Sequence, residues 1–383
     1  MTPADLTAPE NPTPSLIVDL FKNRLGFYIA IYALWFAAVF WFTDGPKDFP
    51  KWVDGWHRWD AVWYFRIWNE GYGKDPTTLV FPPGFSWITG SISEVTRQPF
   101  NLIALILNTI FFFVGSVAAS ELIGKRFQVP VWWIFVFQLS YPAAFYAFMP
   151  YSDALFYAWL WLLMPIALAN PKTLHWGWKA AGGIGAFFAP WIRITGYALL
   201  IWAAFRRWFA ASVLATLGLY VTANYLVTKQ PFYFLDAQRV FKMPRGYFFT
   251  GLVYHLQELF DPPSAAQPTK MWLWLQSTVL PVASTLLLVG VCVWLVRRKE
   301  WLLLATVVAI AAFSRNQAFW RSVFRYDWPL VAILILPVLM MAKHSARRST
   351  RIFLYAALSV FMVVSFLLQL ALAIRLNRGG WGF

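Results

Sequence analysis

One carboxylate stands in a run otherwise made of rings and cations: His57-Arg58-Trp59-Asp60-Ala61-Val62-Trp63-Tyr64-Phe65-Arg66-Ile67-Trp68, closing on Gly71-Tyr72. An acid so placed adds little to solubility. It suits chemistry on a lipid-attached substrate at a membrane surface, because a positioned carboxylate can take the proton of an attacking hydroxyl as a bond forms. The competing reading is structural: Asp60 caps a helix or pairs with Arg58.

The remaining candidates lie far along the chain. Asp153 follows Ser152 at the start of an apolar run, where it could cap a helix, position an acceptor or hold an arginine. Arg193 follows Pro190 between apolar runs. Arginine near a membrane is costly unless it faces a polar cavity or a partner. Its fork suits bidentate phosphate binding, and equally an ion pair with an acid such as Asp153. Gln238 and Arg239 open a basic segment continuing to Lys242 and Arg245, with a solvated face as the alternative. Arg315, Arg321 and Arg325 flank a turn carrying Phe319, Trp320, Phe324 and Tyr326. That cluster could grip a phosphate, or anchor helix ends to headgroups. His57 could tune Asp60 or bind an acceptor. Asp54, His57 and Asp60 recur every three residues, a spacing that suggests weak divalent coordination; no other His/Asp/Glu spacing makes a metal site, and no cofactor is expected.

The elements that must position these residues are membrane helices. The chain of 383 residues is 60% hydrophobic and only 13% charged, against roughly 25% charged for a soluble domain. Apolar runs recur near the roughly 20 residues that span a bilayer as a helix, the expected spanning element where backbone groups lack water. The spans read as 25–43, 101–121, 130–148, 152–170, 179–191, 194–206, 208–228, 271–296, 301–314, 328–342 and 352–374, an all-α polytopic membrane protein of about eleven spans. The pair at 179–206 is interrupted by Pro190 and Arg193, and losing both spans would keep every other orientation. Lys125 with Arg126, Lys172 with Lys179, Arg206 with Arg207, Arg297–Lys299 and Lys343–Arg351 fall on alternate short connections. The positive-inside rule then makes the N-terminus cytoplasmic and leaves loops 44–100, 229–270 and 315–327 outside. Residues 1–20 read as a disordered cytoplasmic tail without a cleavable signal pattern, and 21–383 as one transmembrane domain. The net charge of +15 is spent on this punctuation, so nucleic acid is not an expected partner. Cys292, the lone cysteine, excludes disulfides within one chain. Trp59, Trp63, Tyr64, Ile67 and Trp68 follow i, i+4, i+5, i+8, i+9 spacing, one stripe of a helix. That stripe predicts an interfacial helix with its rings at headgroup level.

Arg58-Trp59-Asp60-Ala61-Val62-Trp63-Tyr64, Gly71-Tyr72 and Phe81-Pro82-Pro83 together resemble the signature of the GPI mannosyltransferase 2 (PIG-V-like) family and its bacterial relatives. Further matches follow in family order. Tyr141–Phe145 with Pro150–Phe156 is similar to its Pro-x-Ser-Phe-Phe…Pro-Tyr-Ser-Glu-x-Leu-Phe, Arg193 with Thr195-Gly196 to its Arg-x-x-Gly turn, Phe234–Gln238 to its Phe-x-x-Ala-Gln, and Arg325-Tyr326 to its late Arg-Tyr. The chain departs from the family with Asp153 for Glu, Ala144 for Ser, and no tryptophan soon after Gln238. The resemblance implies the GT-C glycosyltransferase fold and sugar transfer, mannose by family, from a polyprenyl-phosphate donor to a lipid or glycan acceptor at the non-cytoplasmic face. It makes Asp60 the catalytic base and puts Arg193, Arg325 and Arg239 on the donor phosphate. His57, Arg58, Trp59, Tyr64, Tyr151, Asp153, Gln238 and Tyr326 are its expected substrate contacts. The expected location is a bacterial inner membrane, or the ER membrane in a eukaryote. A lipid-linked-sugar transporter or flippase is the alternative activity, and a non-catalytic scaffold a third reading.

Overall fold

The computed structural model describes residues 24–237, 248–264, 268–315 and 323–378. Those residues are all-helical, with no strand among them. Five helices are long and apolar enough to cross a membrane: Leu25–Phe42, Phe100–Phe127, Arg207–Thr228, Lys270–Arg297 and Arg348–Asn377. Shorter apolar helices accompany them at Val131–Ser140, Asp153–Leu168, Ile194–Ala204, Trp301–Arg315 and Trp328–His344. The protein is a multi-pass helical membrane protein.

The 28-residue Phe100–Phe127 helix marks the two faces, since at 1.5 Å per residue it runs about 42 Å. Near its start, Asn101 donates to Asp54 at 3.1 Å and Phe100 packs edge-on to Phe65 at 5.5 Å, so the first long loop folds over that end. Near its other end, Arg126 grips Glu300 at 2.6 Å, and buried Glu121 accepts from Tyr28 at 2.7 Å. The basic connections ending at Arg126 and beginning at Arg297 and Lys343 gather on this second face: Lys343 reaches the Phe127 carbonyl at 3.4 Å, and Arg298 lies 3.5 Å from His344.

Several apolar runs are broken where a continuous span is expected. The 130–148 run is helical only over Val131–Ser140; Pro142 cannot continue it, and Ala144–Phe148 winds as a 3₁₀ turn. The 328–342 run divides into Trp328–Leu330, Val331–Leu334 and Leu336–His344, with Pro329 and Pro337 at the starts of the first and last pieces. Span 194–206 is an 11-residue 3₁₀ helix, Ile194–Ala204, whereas such helices usually stop after three or four residues. Residues 141–149 and 328–336 are all buried. Irregular backbone at membrane depth is tolerated where protein, not lipid, surrounds it.

The first long loop forms three α-helices, Phe49–Gly55, Asp60–Lys74 and Gly84–Thr96, with a 3₁₀ turn at Pro76–Val80 between the last two. Asp48 caps the first, accepting from the Lys51 amide, with Pro50 in its opening turn. The aromatic stripe of the second packs on protein. Tyr64 and Ile67 are buried, Trp59, Trp63 and Trp68 half-buried, and Phe81 and Phe85 pack against Tyr64 at 5.5 and 5.2 Å. Phe49, Val62, Phe65, Trp87, Ile88 and Val95 are the large apolar side chains these helices leave exposed.

Candidate active site

Four chain segments bring their charged residues to one place beside the first loop. Arg325 Nη2 donates to Asp60 Oδ2 at 2.6 Å, and its Nε donates to Asp153 Oδ1 at 3.2 Å. Arg193 Nη1 meets Asp153 Oδ2 at 2.5 Å. The result is a chain of alternating charge, Arg193–Asp153–Arg325–Asp60. Its members differ in access: the Asp153 side chain is 3% exposed and that of Arg325 7%, whereas Asp60 is 25% exposed. Asp60 is therefore the acid that an incoming molecule can meet.

Local structure explains each placement. Asp60 opens the Asp60–Lys74 helix, and the residue before it, Trp59, has φ 47° and ψ −110°. Positive φ is costly for a bulky side chain, of order 1–3 kcal/mol, and such strain gathers at functional sites. Neither Trp59 nor Ser152 caps its helix with a side-chain bond, so neither acid belongs to a conventional capping motif. Ser152 Oγ instead shares a 2.7 Å bond with Tyr64 OH, tying the Asp60 helix to the start of the Asp153–Leu168 helix. Two further bonds fix the same turn: Tyr151 OH donates to the Arg58 carbonyl and Asn108 Nδ2 to the Tyr151 carbonyl, both at 3.0 Å.

Gly71, at φ +66°, ends the regular winding of the Asp60 helix, a conformation that costs glycine little. Tyr72 then donates to the Phe81 carbonyl at 2.6 Å, closing the loop that covers the site. Arg193 follows Pro190 at the end of the Trp176–Ile192 helix, with extended backbone (φ −153°) that turns its side chain inward. The turn is completed by the Gly196 amide donating to the Arg193 carbonyl at 2.7 Å. A Cβ at Gly196 would collide with the backbone of Ala189 and Pro190, which cannot yield as a side chain would. Gly196→Ala is therefore expected to destabilise the protein by about 1–3 kcal/mol through overpacking, read as a lowered unfolding midpoint in detergent.

Rings complete the electrostatics. The Arg325 guanidinium lies 4.4 Å from the Tyr151 ring centroid, 5.2 Å from Tyr146 and 5.3 Å from Tyr326; Arg193 lies 5.0 Å from Tyr326. Such contacts strengthen when desolvated. Burial alone would make Arg325 less basic, but the carboxylates of Asp153 and Asp60 more than offset it and hold the guanidinium charged. Burial raises the Tyr151 and Tyr326 phenols, which stay protonated.

No protein-family model matches the chain, and no curated protein matches it. The site therefore stands on its own geometry.

Of the residues expected from the sequence, Asp60, Asp153, Arg193, Arg325, Tyr151 and Tyr326 are brought together, with Tyr64 bonded just behind them. Between phosphate binding and an ion pair with Asp153, Arg193 makes the ion pair. Trp59 enters through the strained backbone that starts the Asp60 helix. Arg58 contributes its carbonyl, while its exposed side chain turns back to the Gly55 carbonyl at 3.3 Å and does not pair with Asp60. His57 stands outside the charge chain, edge-on to Phe65 at 5.7 Å. Its burial lowers the imidazole pKa, against the raising effects of Asn101 and Asp54, and leaves the ring neutral at pH 7. Among the described residues no His/Cys/Asp/Glu group could hold a metal. In the Asp54–His57–Asp60 run, Asp54 is bonded to Asn101 and Asp60 to Arg325. Gln238 and Arg239 lie outside the described residues.

Tyr146, Ser152 and Asn108 are site residues that sequence reasoning did not single out for these roles. Tyr146 directly follows the Tyr141–Phe145 segment singled out in the sequence. Asn108, polar within an apolar run, carried the clearest signal, because a buried amide needs a partner.

Proposed function

We propose that this protein is an inverting glycosyltransferase of GT-C architecture, related to the PIG-V-like mannosyltransferases it resembles. It moves a sugar, mannose by that resemblance, from a polyprenyl-phosphate donor to a lipid or glycan acceptor. One observation carries the reading: a partly exposed carboxylate, Asp60, is bonded to a buried arginine, Arg325, that a second acid anchors from behind. Base and phosphate-binding cation thus lie within one hydrogen bond of each other. In this reading the chain crosses the membrane about eleven times with its basic connections cytoplasmic, and the site works on the extracytoplasmic face of a bacterial inner membrane, or of the ER membrane in a eukaryote.

In this reading Arg325 exchanges its bond with Asp60 for the donor phosphate while keeping Asp153. The acceptor hydroxyl oxygen attacks the anomeric carbon, and Asp60 takes its proton. The bond from that carbon to the phosphate oxygen breaks with its electron pair, leaving polyprenyl phosphate, whose charge Arg325 holds. Arg193 keeps Asp153 ionised and aimed, and Tyr151, Tyr146 and Tyr326 hold the guanidinium plane. Tyr64 braces the base through Ser152. No group outside the chain is required for the proton or the leaving charge, and the partners are the donor, the acceptor and the surrounding lipid.

The neutral polar groups within the apolar runs favour transfer over transport. Gln138 donates to Ser120 Oγ at 2.8 Å, Gln369 accepts from the Trp35 indole at 3.3 Å, and Asn108 holds the Tyr151 turn. All three brace the fold instead of lining a transit path. The test is donor saturation with Arg325→Gln, which leaves Asp153 paired to Arg193. We expect the donor KM to rise at least about tenfold, a loss of about 1.4 kcal/mol. An unchanged saturation curve would remove Arg325 from the phosphate site.

A further inference from the structure

A second buried ion pair lies apart from the Asp60–Arg325 chain and brackets the segment that delivers Arg325. Arg315 ends the Trp301–Arg315 helix, and Asp327 precedes the Trp328–His344 run, twelve positions later. Both side chains are buried, at 1% and 0% exposed. The contact is fork to fork, Nη1 to Oδ1 and Nη2 to Oδ2, each 2.7 Å. The other guanidinium hydrogens are also placed: Nε donates to Thr285 Oγ1 at 3.0 Å, Nη1 to Ser314 Oγ at 3.0 Å, and Nη2 to Ser284 Oγ at 3.3 Å. Every donor of Arg315 has an acceptor, a degree of satisfaction that a buried charge needs.

Such a pair is weak evidence of stabilisation, because apolar side chains of similar volume often stabilise a protein core as well or better. What it adds is direction. A bidentate fork fixes angle as well as distance, and here it joins the two chain ends that flank Arg325. Asp327 is two residues from Arg325, and the chain beyond it is tied to the helix carrying Asp153. Trp328 stacks on Tyr157 at 5.6 Å and 3°, and the Pro329 carbonyl accepts from Trp161 Nε1 at 2.9 Å. The same connection that holds Asp327 therefore sets the register of Arg325 against Asp153.

We propose that Arg315 and Asp327 are positioning residues, a clamp that fixes the short Val323–Tyr326 helix so that Arg325 reaches Asp60 and Asp153. Their role in the reaction rests on the transferase reading; their hold on Arg325 does not. The test is a double-mutant cycle in the full-length purified protein. One arm replaces the clamp with apolar volume, Arg315→Met with Asp327→Leu, and the other is Arg325→Gln. Sites that act through one another give non-additive losses. We expect Arg325→Gln to lower the unfolding midpoint in the native background and to lower it less than half as much once the clamp is apolar. With donor, the apolar clamp should raise KM about tenfold to a hundredfold while kcat moves less. Arg315→Lys, which keeps the charge but loses the fork, should weaken the coupling in the same direction and serves if the apolar pair does not fold. Equal midpoint losses in both backgrounds would overturn the clamp. Reduced losses support it even if the native protein transfers no sugar, a result that would remove only the transferase reading.

Discussion

Asp60→Asn is expected to lower sugar transfer by about two to four orders of magnitude, the usual contribution of a positioned general base, while the protein still folds and binds donor. Asparagine keeps the volume and can still accept from Arg325, so the phosphate-binding arginine stays in place. What is lost is the proton acceptor. The stability cost is small, because Asp60 is the more exposed of the two acids that Arg325 meets and Arg325 retains Asp153; about 1 kcal/mol or less is expected for a partly solvated pair. Transfer rate and unfolding midpoint measured on the same preparations separate the two effects. A variant with near-native turnover would show that Asp60 only helps to hold Arg325.

Asp153→Asn should behave in the opposite way, as a stability lesion first. Its carboxylate serves Arg193 at 2.5 Å and Arg325 at 3.2 Å in a buried setting. Removing its charge leaves Arg193 without its carboxylate and Arg325 with Asp60 alone, and breaking a buried pair costs about 3–5 kcal/mol. The variant is expected to unfold well below the native protein in a denaturant or thermal series in detergent. Asp153→Glu keeps the charge, so it should recover much of the loss. A midpoint for Asp153→Asn equal to the native one would contradict the buried, doubly paired carboxylate.

The parts of this arrangement differ in how far the sequence discloses them. Helical character and membrane class follow from composition and run length, which act locally and without knowledge of partners. Pro142 and Pro190 mark breaks, but local signals do not reveal that buried protein surrounds the broken 141–149 stretch. The stripe from Trp59 to Trp68 has the right period for one face, yet period cannot distinguish a lipid partner from a protein one. Here Phe81, Phe85 and the Tyr151 turn cover it. Arg193 shows the same limit: its cost at membrane depth announces a partner, and only the fold selects Asp153. Arg315 and Asp327 look like interfacial charges in sequence because their pairing is set by a return of the chain, not by spacing along a helix. His57 stands near Asp60 in sequence but packs against Phe65, since the strained Trp59 turn separates the two.

Sugar transfer at this site can be measured directly. The most direct measurement incubates the purified native protein with polyprenyl-phosphate-mannose and a panel of lipid and glycan acceptors, with both products followed by mass spectrometry. The predicted result is a glycosylated acceptor formed in step with an equal amount of polyprenyl phosphate. Donor moved between leaflets of a reconstituted bilayer, with no acceptor glycosylated and no polyprenyl phosphate released, would contradict it.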